Sequence, residues 1–564
     1  MIEILQHPGL ILVLGAPFLG LLSDRLRASA AVLLPLVALL VFLQLPRELS
    51  LNYSLFAYEL RPLFIDGLSW IFSLIFLIAA VLVAIYSWHG NNRLEQISIP
   101  LYAGSAIAAV MAGDLLTLFI CWEISALSST LIIWANRSRY SRSAGMRYLF
   151  IQVLSGLLLL LGTLLHYQET QSLLFTAFAL DSLAHWLIFF AFGIKCAFPL
   201  LHNWLQDAYP HASASGTVAL SAFTTKLAVY CLARAFAGTE YLLWIGAVMT
   251  AFPIFFAVIE NDLRRVLSYS LNNQLGFMVV GIGIGTPLAL NGTAAHAFCH
   301  ILYKALLFMS MGAVLHRIGT TKASELGGLA KSMPWTAAFC LIGAASISAV
   351  PLFSGFVSKG IILFAVAEEG YWLLWLVLLF ASAGVLDHSG IKVPFFSFFA
   401  HDQGLRCKEA PKNMLLAMAI TAAACITIGV APDLLYALLP NSMEFHPYTW
   451  DHTITQLQLL FFAGLGFVLL YVNGWYPAEL RAINLDSDWF YRKPLYKLAG
   501  ISLKAFNSSI NSWQKLRSVT TTKLIDLAYH SNGPRSQLAR GITVSSMVLI
   551  VSLLLTFTLV FYYL

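Results

Sequence analysis

Charge is scarce in this 564-residue sequence. Asp, Glu, Lys and Arg make up 11% of it, against about 25% in ordinary soluble domains, which excludes a soluble globular protein. Cysteine is sparse as well. Cys121, Cys196, Cys231, Cys299, Cys340, Cys407 and Cys425 are scattered, mostly inside apolar runs, and none forms a C-x-x-C pair. No zinc, iron–sulfur or haem framework is expected, and the thiols read as small buried hydrophobes. There is no P-loop and no G-x-G-x-x-G leading into a helix, so no site for ATP or a dinucleotide is expected. The expectation is of no cofactor and no metal. The start, "MIEILQHPG", lacks a basic region, so no cleavable signal peptide is expected.

What the chain has is apolar length: 59% hydrophobic residues and a mean hydropathy of +0.78. In lipid only helices and closed barrels satisfy their backbone groups, and these runs are too long and too uniformly apolar for barrel strands. An all-α polytopic membrane protein follows. Apolar runs predict spans at 9–22, 28–45, 66–88, 97–112, 114–135, 146–166, 182–207, 215–237, 241–259, 266–285, 291–317, 334–368, 371–386, 413–437, 455–474 and 542–563. Two of them, 182–207 and 334–368, contain an internal proline and read as broken.

The loops between spans alternate in charge. One set carries Arg25, Arg27, Arg93, Arg137, Arg139, Arg142, Arg147, Arg264, Arg265, Arg317, Lys322, Lys331, Arg406, Lys408 and Lys412; the other is neutral or acidic, as in "HYQETQ" and "AEEG", with only Arg47 and Arg61 against the pattern. The positive-inside rule puts the basic set in the cytoplasm and the N-terminus on the outer side. This asymmetry accounts for the net charge of +6, so the lipid bilayer is an expected partner and nucleic acid is not. From 476 to 541 the chain turns basic and only intermittently apolar, as expected of a cytoplasmic interfacial segment, partly amphipathic helix, or of a loose linker.

Ionisable residues stand inside several apolar runs. Glu123 lies near the centre of "GDLLTLFICWEISALSSTLIIWANRSR", roughly 13 Å from the helix edge at Asp114 and so near the midplane of a ~30 Å hydrocarbon layer. A charge there costs ~2.5–3.5 kcal/mol on insertion scales. Lys195 stands four residues before Pro199, Lys226 is mid-run, and Lys359 follows Pro351, Ser354 and Gly355. His296, His300 and Lys304 are spaced i, i+4, i+8, one helical face. Singly, such residues can snorkel to a headgroup, as is open to Lys304, or pair structurally. Together they read as a proton relay, because intramembrane acids and bases usually line water paths.

Proline frees helix carbonyls at that depth, where only protein or water can cover them. The arrangement recurs as "IKCAFPLL" and "ISAVPLFSGFVSK", and paired interrupted helices point to an inverted-repeat transporter. A carboxylate beside a buried lysine favours its charged form, so Glu123 next to Lys195 is expected to hold that lysine protonated. Separating the pair releases the proton toward Lys226, His300 and Lys359.

The motifs "WEISALSSTLI", "IKCAFPLLHNWLQDA", "TTKLAVYCLAR", "NDLRRVLSYS", "HAFCHILYKALLFMSMG" and "PLFSGFVSKGIIL" together resemble a known family over about residues 60–435. This is the family of antiporter-like membrane subunits shared by Mrp-type multisubunit sodium/proton antiporters and respiratory complex I. Within it the chain most resembles the D-type subunits of the antiporters. The resemblance implies about fourteen core helices and two inverted five-helix repeats, near 97–237 and 241–386, each with one broken helix. N-terminal helices at 1–96, C-terminal core helices at 387–475 and a terminal helix at 542–564 complete the expected layout.

The resemblance also implies roles. Glu123 is the fifth-helix acid, Lys195 its partner on the broken helix and Lys226 the central relay lysine. His296 and His300 lie on the connecting helix, and Lys359 ends the second half-channel. Lys304, His202, His211 and Asp207 are secondary candidates. Gln206 and Tyr209 depart from the family's "H-x-W-L-P-D-A-H", and Leu271 and Asn273 from its "Y-S-S-I-S-Q-L-G-Y"; Asp262, Arg264 and Arg265 match a family loop but read here as a solvated turn. The implied function is proton translocation coupled to sodium or another monovalent cation, in a hetero-oligomeric complex of the bacterial inner membrane. Such a subunit is a transporter part rather than an enzyme. A pumping, non-redox subunit of a complex I-like NADH:quinone oxidoreductase, a membrane subunit for inorganic-carbon uptake and a structural scaffold are the alternatives.

Overall fold

The computed structural model describes residues 6–56, 58–90, 92–482, 484–533 and 543–563. Residues 1–5 of the expected first segment, and 534–542 around the end of the expected interfacial segment, lie outside the described residues. The chain divides into two compact units, Met1–Asn484 and Leu485–Leu564.

The first unit is a helical bundle with one β-hairpin. Its helices are α1 (Pro8–Leu19), α2 (Asp24–Gln44), α3 (Gly67–Ser87), α4 (Arg93–Val110), α5 (Leu115–Trp134), α6 (Arg139–Thr170), α7 (Leu183–Lys195), α8 (Asn203–Ala208), α9 (Ala214–Ala222), α10 (Thr224–Ala235), α11 (Glu240–Ile259), α12 (Leu263–Ile284), α13 (Pro287–Ile318), α14 (Pro334–Ile347), α15 (Ser354–Glu368), α16 (Trp372–Val385), α17 (Lys412–Val430) and α18 (Trp450–Val472). Among the described residues of the whole chain, eleven helices are long and apolar enough to cross a membrane. Strands β1 (Leu49–Leu55) and β2 (Tyr58–Ile65) pair antiparallel. Nothing in the pattern of apolar runs marked them, although "LSLNYSL" alternates with the period of a strand.

Helix α13 organises the bundle. Its 32 residues run ~48 Å, are almost wholly buried, and pack against α3, α9, α12, α14, α15 and α17. The second unit holds a 37-residue helix, Tyr496–Asn532, and the apolar helix Val544–Tyr563.

Both proline-marked breaks are present: the chain leaves helix between α7 and α8, and between α14 and α15. Three other expectations are corrected. The 215–237 span is not continuous; it breaks between α9 and α10 at Phe223 (φ −103°, ψ −64°) with no proline to mark it. The 371–386 span does not stop at Val385. It continues through wide i→i+5 turns to Phe399, because His388 and Lys392 find buried surroundings instead of a loop, with Asp387 partly buried beside them. Arg264 is not in a solvated turn. Its guanidinium is buried and donates to the carbonyls of Tyr209, Pro210, Ala212 and Ser213, tying the start of α12 to the turn before α9.

Candidate functional site

The N-cap sets the depth of Glu123. The Asp114 carboxylate accepts from Thr117 N–H at 2.7 Å and starts α5 there, which leaves Glu123 about half-way along the helix. Its carboxylate rests on α6 where Gly156 leaves room: a Cβ at that position would run directly into Glu123 Oε1. Oε1 is buried and has no hydrogen-bond partner among the described residues. Lys195, the last residue of α7, is fully buried. Its ammonium donates to the Trp122 carbonyl at 3.2 Å and sits 4.0 Å from the centre of the Trp122 ring. The indole N–H in turn donates to Ser155 Oγ at 3.1 Å, and Ser155 to the Ala191 carbonyl at 2.7 Å. Trp122 thus seats Lys195 within Coulombic reach of Glu123.

Lys226 sits just after the unmarked break. With α9 ended at Ala222, the Ser221 carbonyl is free of a helical donor, and the Lys226 ammonium takes it at 2.7 Å. Tyr102 OH accepts the Thr224 N–H at 2.9 Å and so caps α10 from α4. Lys359 repeats the device at the second proline break: its ammonium donates to the carbonyl of Ile347, the last residue of α14, at 2.7 Å. Exposed carbonyls at helix C-termini carry the negative end of the helix dipole and favour a cation.

Between these lysines, α13 presents His296, His300 and Lys304, all fully buried. His296 Nδ1 lies 3.0 Å from Ser358 Oγ, beside Lys359. Both nitrogens of His300 and the ammonium of Lys304 are buried without a hydrogen-bond partner among the described residues. Lys304 therefore does not snorkel to a headgroup. His300 is in Coulombic reach of Lys226, Lys304, His296 and Lys359, which makes it the hinge of the group. A proton gained by one member of such a cluster disfavours a proton on its neighbours.

Three residues that the sequence pattern did not single out extend this line. His388 is buried in reach of Lys304, Lys359 and Lys392, and Lys392 donates to the carbonyls of Val258 at 2.5 Å and Glu260 at 2.8 Å, at the end of α11. Asp387 lies near Lys392. The available signal was the polar run "DHSGIK" between two apolar stretches, which looks like a loop until its neighbours are known.

The remaining candidates stand apart. Asp207, at the end of α8, is held by Nε and Nη2 of the Arg147 guanidinium, at 2.7 and 3.0 Å. His211, in the turn before α9, stacks on Tyr140 with centroids 5.7 Å apart, and burial, with Arg265 nearby, holds its imidazole below the ordinary histidine range. His202 packs on Phe252 at 4.6 Å. Tyr209 commits its hydroxyl to the Leu220 carbonyl at 2.7 Å. No group of three or more His, Cys, Asp or Glu able to hold a metal occurs among the described residues.

A family described as "NADH:quinone oxidoreductase/Mrp antiporter, TM" matches residues 112–386. The chain is 28% identical to hydrogenase-4 component B of Escherichia coli over 66% of its own length and 62% of that protein's. It is likewise 28% identical to the D subunit of the Na(+)/H(+) antiporter of Alkalihalophilus pseudofirmus, over 58% and 71% respectively. The solved structure of an Mrp complex from Dietzia sp. superposes with a TM-score of 0.75 at 23% identity, covering 97% of this chain and 61% of that one, which shows a shared fold. The matched region spans α5 to α16 and includes Glu123, Lys195, Lys226, the α13 group and Lys359, and over that region the chain is similar to the antiporter-like membrane subunits common to Mrp antiporters and NADH:quinone oxidoreductases.

Proposed function

We propose that this chain is a proton-translocating subunit of a multisubunit monovalent cation/proton antiporter, with sodium the expected cation and a role like that of the antiporter D subunits. The observation that carries this reading is the set of titratable groups inside the bundle: half-buried Glu123 in Coulombic reach of buried Lys195, and buried Lys226 and Lys359 both in reach of buried His300. Water or protons must reach such groups for their placement in the bundle to be tolerated. In this reading Glu123 stabilises the charge on Lys195. Moving the two apart releases the proton toward Lys226, and the histidines of α13 pass it to Lys359. The recurring backbone at the two proline breaks supports inverted repeats at 97–237 and 241–386. The chain sits in the inner membrane with its N-terminus outside and works with other membrane subunits.

The test is cation-driven proton flux in inverted vesicles holding the whole assembly, with Glu123→Ala, Lys226→Ala and Lys359→Ala. Each variant is expected to lose flux while assembling normally; unchanged flux in all three sinks the relay. The match to a hydrogenase-4 component favours a second reading, a pumping subunit of a complex I-like oxidoreductase whose electrons move in other chains. Genes for flavin and iron–sulfur subunits beside this one support that reading, and genes for small membrane subunits support the antiporter.

A further inference from the structure

We propose that the second break opens to the outside of the bundle through the cavity between α15, α16 and α18, with His452 as the proton carrier at its inner end. The inference rests on the relay reading above and supplies the outlet that reading leaves unspecified. A cavity of about 410 Å³ lies between these helices, lined by Trp375 and Leu379 and also by Glu444, Asp451, His452 and Gln456. Thr449 caps α18 by accepting the His452 N–H at 3.3 Å, and this start places His452 and Gln456 one turn apart on one face.

Both side chains meet the break. The Gln456 amide donates to the Ser348 carbonyl at 3.3 Å, next to the Ile347 carbonyl that holds Lys359. The His452 ring stacks on Phe356, with centroids 4.5 Å apart. Its Nδ1 lies 2.7 Å from the Pro447 carbonyl. A carbonyl only accepts, so Nδ1 carries the hydrogen and Nε2 of the neutral ring is the free acceptor. That edge of the ring lies over Gly360, where a Cβ would come within 2.6 Å of Cε1 and 3.0 Å of Nε2. Glycine at 360 is what admits an imidazole against α15, at the residue that follows Lys359.

A separate observation bears on water at the break. The Ser348 hydroxyl is buried at this break and has no hydrogen-bond partner among the described residues, while the Ser346 and Ser354 hydroxyls face the buried thiols of Cys425 and Cys299. Buried hydroxyls are normally satisfied, by ordered water where protein does not serve. The proton leaves the Lys359 ammonium, crosses water at the break, binds His452 Nε2, and passes into the cavity lined by Glu444 and Asp451.

The test uses the same vesicles and the intact assembly. His452→Ala is expected to lose most of the flux and to regain it when imidazole is added, since the cavity has room for the free ring. Ala367→Trp, which fills the cavity without touching the relay, is expected to lose flux that imidazole does not restore. Normal flux in both variants, alongside loss in Lys359→Ala, overturns the outlet and leaves the relay standing. Flux that survives Lys359→Ala overturns the relay reading itself. A loss in His452→Ala that imidazole leaves untouched overturns the carrier role and makes the residue a packing element.

Discussion

The two proline breaks share one backbone and use it differently. Each contains an Ala-x-Pro-Leu run, and in each both the alanine and the leucine are left-handed: Ala197 (φ 62°) and Leu200 (φ 68°) in the first, Ala349 (φ 58°) and Leu352 (φ 73°) in the second. Such conformations cost roughly 1–3 kcal/mol apiece and persist only where surrounding structure enforces them. Aligning the two runs sets Lys195 opposite Ile347, and Asp207 opposite Lys359. In the first break the buried cation precedes the interruption and reaches sideways to α5. In the second it follows the interruption and reaches back across it to the end of α14. The helix beyond each break differs to match, with six residues after the first and fifteen after the second. The second break can therefore carry a lysine deep in the bundle, where the first ends at the Asp207–Arg147 pair. One strained scaffold serves two chemical settings, and the position of a single lysine decides which.

The largest expected effect comes from removing either cation. Lys195→Ala and Lys359→Ala should each reduce proton flux in vesicles to background while the assembly stays intact; a variant that transports normally breaks the equivalence of the two sites. Next comes Gly355→Ala. Its Cβ would collide with the Ser346 carbonyl oxygen, whereas the aligned position in the first break already holds Asn203. Destabilisation of roughly 3 kcal/mol, the upper end for overpacking, should appear as earlier thermal unfolding of the detergent-solubilised protein.

Gly156→Ala separates charge from geometry. Replacing a mid-helix glycine adds about 0.5–1 kcal/mol of helix preference, yet the new methyl must push the Glu123 carboxylate aside, so flux should fall while every charge remains. Glu123→Asp should retain partial flux, since a titratable carboxylate still faces the Lys195 side; complete loss would show that geometry outweighs charge. The smallest effect belongs to Trp122→Phe. It removes one buried hydrogen bond to Ser155, worth about 1 kcal/mol, and keeps an aromatic face under Lys195, so flux should persist and only stability should drop.

Legibility in the sequence followed physical cause. Proline announces a break because it has no N–H to give, and both proline breaks were readable. The break at Phe223 has no such mark; packing imposes it, with Tyr102 reaching over from α4 to take the Thr224 N–H. Glu123, Lys195, Lys226 and Lys359 stood out because charge in an apolar run is conspicuous. Lys392 and His388 did not, since a polar run at the end of a hydrophobic stretch looks like an ordinary loop, and only the carbonyls at the end of α11 make a buried place for that ammonium. Arg264 misled for the opposite reason. A turn with two arginines looks solvated until four backbone carbonyls are found around one guanidinium.

Hydrophobic length and the cost of bare backbone in lipid determined, from sequence alone, a many-helix membrane protein with two interrupted helices and ionisable groups at mid-depth. Those are one-dimensional facts, set by transfer energy and by proline's missing donor. Which carbonyl each lysine meets, and which side chains come into electrical contact, depend on how helices far apart in the chain pack. Only the tertiary structure decided them, because Coulombic coupling and hydrogen bonding depend on distances of a few ångströms that spacing along one chain does not encode.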